Sequence, residues 1–424
     1  MLYGKQHRRK RLKRTAALLI AGCLLFCTGC AAGGSQMPET SIPEYSIPEN
    51  ILGEPSSLVP DVQADKYQIP ENEGMDFIRE LYLGWNLGNT FDAEDVRNLS
   101  AENELDYEKA WSGELTTIEN IAAVKAAGFK TIRIPVSWHN HVDADFNISK
   151  AWLMRVREVV DWCIDMDLYV IVNTHHDNAE AYYYPDSAHM ESSKKYLTAI
   201  WSQLAETFRD YDEHLILESL NEPRLVGTDY EWWIDRNNAQ CQDAVACINA
   251  LNQLFVDTVR NAGGGNASRW LLVPGYAASP DGALNPDFAM PDDPQNRVML
   301  SIHAYKPYNF ALNTAGTKDW SLDNAGDTGE ITRFMDDLYG KFVMNGIPVL
   351  IGEFGATNKD NLEARTAFAA YYTACAKAHG MSCLWWDNNA FTGSGENFGL
   401  LYRKASTYPY PEIVQALIKG SNYQ

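Results

Sequence analysis

From about Asp76 to the C-terminus, short runs rich in β-branched and aromatic residues alternate with longer stretches whose apolar positions recur every three or four residues. The short runs predict strands at residues 81–86, 131–135, 169–173, 215–219, 270–274, 298–303, 348–353 and 382–386. The longer stretches predict helices at 118–127, 152–166, 195–208, 245–260, 331–344, 365–378 and 412–419, and the connection after the fifth strand has the faintest helical period. The strand runs are almost continuously apolar, as expected of parallel strands buried on both faces and covered by helices. Eight strand-then-helix repeats in one chain point to an α/β fold, a single (β/α)8 TIM barrel, over a doubly wound sheet, which more often stops at five or six strands. The length of 424 residues alone suggests nearly three domains; one barrel over 67–424 takes up most of it.

The first fourteen residues carry seven cations, and an uncharged apolar run follows from Ala16 to Phe26, too short to span a bilayer. Residues 1–29 therefore read as a signal peptide. They end at Cys27-Thr28-Gly29-Cys30-Ala31-Ala32, which resembles a bacterial lipoprotein cleavage box with Cys30 as the lipidated residue; ordinary cleavage nearby is the alternative. Residues 30–66 are rich in Pro, Ser and Glu, with the near-repeat Ser41-Ile42-Pro43-Glu44 and Ser46-Ile47-Pro48-Glu49, and predict a semi-extended linker holding the barrel off a membrane. The expected location is extracellular, on a bacterial cell surface, with contact to the membrane only through the lipid.

Composition narrows the partners. There are 35 Lys plus Arg against 56 Asp plus Glu, a formal charge of -21; without the signal's cations the balance is 28 against 56. Such a field repels phosphate backbones, which argues against nucleic acid. Aromatic residues make up 12%, which suits a neutral ligand with flat apolar faces such as a sugar polymer. Five cysteines outside the signal and lipidation box, Cys163, Cys241, Cys247, Cys375 and Cys383, are odd in number and irregularly spaced, and predict small buried hydrophobes rather than a disulfide framework.

Barrel chemistry sits at the C-terminal ends of the strands, and here those ends are polar: Arg133, His175-His176-Asp177, Asn221-Glu222-Pro223, His303-Ala304-Tyr305, Glu353 and Trp385-Trp386-Asp387. Two strand-end carboxylates, Glu222 and Glu353, are the equipment of glycoside hydrolysis, one donating a proton and the other attacking or activating water. A lone strand-end glutamate is as easily a salt-bridged rim residue; two among so many polar ends are less so. The histidines invite a metal reading. Adjacent strand residues point to opposite faces, however, and no His-x-His occurs at these ends, so no metal and no cofactor are expected.

The strings Gly84-Trp85-Asn86-Leu87-Gly88-Asn89-Thr90, Asn173-Thr174-His175-His176-Asp177, Leu220-Asn221-Glu222-Pro223, Ile302-His303-Ala304-Tyr305, Ile351-Gly352-Glu353-Phe354-Gly355 and Trp385-Trp386-Asp387-Asn388, with Ile132-Arg133-Ile134-Pro135, resemble glycoside hydrolase family 5 over residues 70–420. The likeness is to its bacterial endoglucanase and xyloglucanase branch. The resemblance implies Glu222 as acid/base, Glu353 as nucleophile and a retaining outcome. It further implies Asn221 on the sugar 2-hydroxyl, Arg133 and Tyr305 on the nucleophile, His303 supporting the acid/base, His175 and His176 against sugar, and Trp386 rather than Trp385 as the stacking floor. Arg133 and Tyr305 near one glutamate, with no such group near the other, would drive the two apart in pKa. Tyr182 to Tyr184, Trp232, Trp233, Tyr308, Phe310, Trp320, Phe391 and Phe398 are loop aromatics for either sugar stacking or loop packing; Trp152, Trp162 and Trp201 read as helix-layer core.

The expectation is a monomeric retaining endo-β-1,4-glucanase, cutting internal bonds of cellulose, mixed-linkage glucan or xyloglucan. An endo-xylanase or endo-mannanase is the alternative within the family. A surface glycan-binding protein without catalysis is the alternative of another class, disfavoured because binding needs no paired carboxylates.

Overall fold

The computed structural model describes residues 42–423 apart from Asn98 and Ser100. The predicted signal and Cys30 lie outside the described residues. Eight strands close into a parallel barrel in which each pairs with the next and the last with the first. They are β1 Leu83–Leu87, β2 Thr131–Ile134, β3 Tyr169–Asn173, β4 Leu215–Glu218, β5 Leu271–Pro274, β6 Val298–His303, β7 Val349–Phe354 and β8 Ser382–Asp387. All eight predicted strands are present, within two residues at either end.

Among the described residues ten helices connect and cover them: α1 Glu73–Leu81, α2 Ile118–Ala126, α3 Lys150–Asp165, α4 Met190–Thr207, α5 Ala239–Asn261, α6 Pro280–Leu284, α7 Tyr308–Ala311, α8 Ala325–Lys341, α9 Leu362–Ala378 and α10 Pro411–Ser421. Several start earlier than their apolar period suggests, because the start is set by a cap: Asn238 accepts from Gln240 and Cys241 at α5, and Asn324 from Gly326 at α8. The fifth connection holds only the short α6, begun by Ser279 and Pro280.

Alternation along the strands makes two cores. Side chains such as Val170, Val172, Leu215 and Leu217 face the helices, where Trp152, Trp162 and Trp201 are buried as expected. The intervening Ile171, Ile216, Leu272, Met299, Leu350 and Leu384 fill the barrel floor together with Phe77, Ile78 and Leu81 of α1. Helix α1 thus plugs the floor, and the sequence reading missed it by assigning Leu81 to a strand. Its signals were Asn72, whose side chain accepts from Met75, and the acids Glu73 and Asp76 in the first turn.

The linker expectation needs correction from Tyr45 onward. The segment has no regular helix or strand, as its prolines require, yet it is tied to the barrel and belongs to the same compact unit. Tyr45 donates to Asp165; Gln415 accepts from Ser56 N–H and donates to the Leu52 and Glu54 carbonyls; Tyr423 bonds Ala64. Ile51, Leu52, Val59 and Val62, scattered without period among the prolines, pack on the core. The five cysteines are buried and free, and among the described residues no helix is long and apolar enough to cross a membrane.

Candidate active site

Above the apolar floor the barrel interior turns polar, and Arg133 stands at its centre with no exposed surface. Its Nε donates to Glu218 at 2.7 Å, Nη1 to Asn86 at 3.0 Å and Glu353 at 2.8 Å, and Nη2 to Asn221 at 2.8 Å. Burial works against the guanidinium charge, and the adjacent Glu218 and Glu353 more than offset it. Glu218 also accepts from Ser301 at 2.6 Å, so the ring is tied through β1, β2, β4, β6 and β7. Register shifts at the ends of β6 and β7 bring His303 opposite Glu353, the local kink by which irregular strand ends re-aim side chains.

Glu353 takes a second hydrogen bond, from Tyr305 at 2.9 Å, and burial keeps that phenol protonated. Glu222 lies just past β4, with His303 Nδ1 2.8 Å from its Oε1. An oxygen of Glu222 and one of Glu353 lie within 4.8 Å of each other. This is the narrow spacing of a carboxylate pair that works by direct attack, with no room held open for a water between them.

The charge states follow from His303. Burial opposes a cation there, while Glu353 and Glu222 favour one. As a cation it would outweigh the effect of burial and lower Glu222, with burial leaving Glu353 raised. That order is the reverse of an acid facing a nucleophile. The contact on its other nitrogen argues for the neutral ring: Arg133 Nη2 is 3.5 Å from Nε2, and a guanidinium has only donors, so Nε2 accepts and the single proton sits on Nδ1, facing Glu222. A neutral His303 withdraws its charge from both carboxylates while burial opposes ionisation in each; Arg133 and Tyr305 remain as donors favouring the charged form of Glu353.

Trp386 lies on β8 beside this pair. Gly88 passes directly beneath it, where a Cβ would come within 2.7 Å of the indole. His175 lies parallel to the indole at 5.8 Å, His176 is edge-on to His175 at 4.4 Å, and Trp111 is 5.8 Å beyond His176. The neighbouring Trp385 is fully buried in the core under the helices and donates to the carbonyl of Phe398 in the loop after β8. Only one of the pair faces the site, as strand alternation requires.

A family model described as cellulase (glycosyl hydrolase family 5) matches residues 90–392. The chain belongs to glycosyl hydrolase family 5.

The chain is 42% identical over 347 residues to Endoglucanase A of Clostridium longisporum, covering 81% of this chain and 65% of that protein's length. It is 37% identical over 418 residues to Endoglucanase B of Ruminococcus albus, covering 96% and 97%. A solved structure of a glycoside hydrolase 5 lichenase from Caldicellulosiruptor sp. F32, in complex with cellotetraose, superimposes with a TM-score of 0.84 at 52% identity, covering 86% of this chain and 99% of that one.

In this family 5 barrel the predicted Arg133, Asn221, Glu222, His303, Tyr305 and Glu353 form one bonded cluster, with Trp386, His175 and His176 along its wall. Two expectations change and one open alternative is settled. His175 and His176 do not diverge, because β3 ends at Asn173 and both follow in the loop, where strand alternation no longer applies. The reason given against a metal therefore fails. What bears on a cation at the cluster of Glu222, His303 and Glu353 is that it would face Arg133, 2.8 Å from the same carboxylate. Second, Glu222 is not without a cation: Arg224 Nη1 is 3.7 Å from its Oε2. Third, Tyr183, Tyr184, Phe310, Trp320 and Phe398 are buried packing residues, whereas Trp232, Trp233 and Tyr308 are exposed.

Glu218, Arg224 and Trp111 were missed. Glu218 was legible as the one charge in the apolar run Leu215-Ile216-Leu217, and Arg224 as a cation two residues from Glu222. Trp111 follows a short helical stretch with no distinguishing pattern. Asn86 is structural: it donates to the Gly352 carbonyl and accepts from Arg133.

Proposed function

We propose that the chain is a retaining endo-β-1,4-glucanase. The observation that carries this reading is the Glu222–Glu353 pair within 4.8 Å, with donors on each that suit different roles. Glu353, held ionised by Arg133 and Tyr305, attacks the anomeric carbon while Glu222 gives its proton to the leaving glycosidic oxygen. Esterification removes the Glu353 charge, and Glu222, now a carboxylate, takes a proton from the water that releases the sugar with its configuration retained. Asn221, oriented by Arg133, is set to bind the 2-hydroxyl at the cleavage point, a contact that strengthens in the transition state. Trp386 offers the stacking face beneath that sugar, and Trp111, His176, Trp232 and Trp233 extend the cleft for neighbouring sugars.

The names of the relatives, endoglucanases and a lichenase seen with cellotetraose, support a β-glucan backbone as substrate. Cellulose-like chains, mixed-linkage glucan and xyloglucan are the leading candidates, before xylan and mannan. We further infer secretion through residues 1–29 and anchoring at Cys30, to be tested by comparing Cys30→Ala with wild type for release into the medium.

The activity is tested by measuring reducing ends released from soluble β-glucans, xylan and mannan. Wild type should act on the glucans, and both Glu353→Gln and Glu222→Gln should lose most of that rate. Full activity in Glu353→Gln would overturn the assignment. Proton NMR of the first-formed product should show the β anomer, and an initial α anomer would contradict retention.

A further inference from the structure

The acid/base Glu222 presents its two oxygens to different surroundings. Oε1 accepts the His303 Nδ1 proton at 2.8 Å, so the proton passed to the leaving group is carried on Oε2. That oxygen faces Arg224, whose Nη1 lies 3.7 Å away. Arg224 is held on several sides. Nη1 donates to the backbone carbonyl of Glu222 at 3.0 Å, Nε to Glu231 at 3.3 Å, and its backbone N–H to Asn178 at 2.8 Å. Its guanidinium lies 4.0 Å over the ring of Trp232, an indole that is otherwise half exposed. Glu231 in turn accepts the Gly227 N–H at 3.0 Å, closing the loop after β4 on itself. No step of the reaction as described above uses Arg224.

We propose that Arg224, clamped between Trp232, Glu231 and the Glu222 carbonyl, is a positioning residue that aims Oε2 of Glu222 and sets how readily it gives up its proton. The inference rests on Glu222 being the acid/base. A cation beside a carboxyl favours the charged form. The other groups facing Glu222 are His303 and Tyr305 from β6 and its loop, Glu353 from β7, His176 from the loop after β3, and Glu396 from the loop after β8. Glu353 and Glu396 oppose its ionisation, Tyr305 is held protonated, and burial keeps His176 neutral down to about 4. Two permanent cations work in the other direction on Glu222: Arg133 of β2, which stands behind His303 and Asn221, and Arg224, which faces Oε2 itself. Arg224 makes the proton easier to release to a leaving oxygen and keeps the carboxylate available as a base in the second half of the reaction. Trp232 couples this to substrate, because a sugar stacked on its outer face sits on the ring that holds the guanidinium on its inner one.

The test is the pH dependence of kcat/KM on a soluble β-glucan. Its basic limb reports Glu222 losing its proton. Arg224→Met should move that limb up by about one pH unit and lower the rate on either side of it. Arg224→Lys, which keeps the charge, should leave the limb near its wild-type position while losing part of the rate. Should Arg224→Met fail to fold by circular dichroism, Trp232→Ala, which frees the guanidinium, should move the limb in the same direction by less. A limb unmoved in Arg224→Met, or unmoved in Trp232→Ala where Arg224→Met does not fold, would overturn the proposal whatever happens to the rate. Glu222→Ala run beside them separates the two readings. If it keeps wild-type activity on polysaccharide, the acid/base assignment fails. If it loses activity there but retains it on an aryl cellobioside with an acidic leaving group, and the Arg224→Met limb stays put, only the role of Arg224 fails.

Discussion

Replacing Arg133 with methionine removes the hub of the site while roughly keeping its volume. Two buried carboxylates, Glu218 at 2.7 Å and Glu353 at 2.8 Å, lose their partner where they have almost no exposed surface. Removing one member of a buried pair costs about 3–5 kcal/mol because the other charge stays behind unpaired. At about 2 °C per kcal/mol, melting should fall by about 6–10 °C. The catalytic loss has a separate origin. Glu353 forfeits one charge-assisted hydrogen bond, worth about 1.5–3 kcal/mol, which at tenfold per 1.36 kcal/mol lowers kcat/KM roughly ten- to a hundredfold. Asn221 and His303 lose their orientation as well, so this is a lower bound. Adding Glu218→Gln separates the two effects, since it removes one stranded charge without touching Glu353. Differential scanning calorimetry should therefore show melting partly recovered in the double variant, and reducing-end assays should show no recovery of rate. Melting of Arg133→Met within 2 °C of wild type, or activity returning with stability in the double variant, would refute the reasoning.

Three further outcomes follow from the same geometry. Gly88→Ala places a Cβ within 2.7 Å of the Trp386 ring and should tilt the indole off its stacking plane, at about 1–3 kcal/mol of overpacking; wild-type kinetics in this variant would show that Trp386 carries no sugar. Trp111→Ala should raise KM about two- to tenfold on polysaccharide, with little change on a substrate too short to reach it, from the loss of about 0.5–1.5 kcal/mol of ring stacking; an equal effect on both lengths would count against a remote sugar contact. His141 is buried against Trp152 at 3.7 Å, and burial lowers its pKa to about 4 against about 6.5 unfolded, so between those values the folded state binds fewer protons. Stability should therefore fall as pH drops from about 6.5 toward 4, and urea titrations should show a shallower fall in His141→Gln.

The strand and helix repeats, and with them the barrel, were legible because burial leaves a local trace: a parallel strand covered on both faces reads as an apolar run, and a covering helix as a period of three to four. A polar residue ending an apolar run is a local trace too, so Arg133, Glu222, His303 and Glu353 could be named as strand-end chemistry and matched to a family. Helix α1 was hidden although its cap and acids were present, since Leu81 at its end runs straight into the apolar start of β1. What no local pattern carried is which polar groups meet. Arg133 bonds Glu218 across 85 residues and Glu353 across 220, and those pairings depend on barrel closure, strand register and the shifts at the ends of β6 and β7. The same holds for the two histidines turned together past β3, for the proline-rich arm fastened by Gln415 and Tyr423, and for Arg224 set against the second oxygen of Glu222. Hydrophobic burial is non-directional and writes itself along the chain one residue at a time. Hydrogen bonds and ion pairs are directional and short, so their partners are chosen only when the folded backbone has fixed every distance between them.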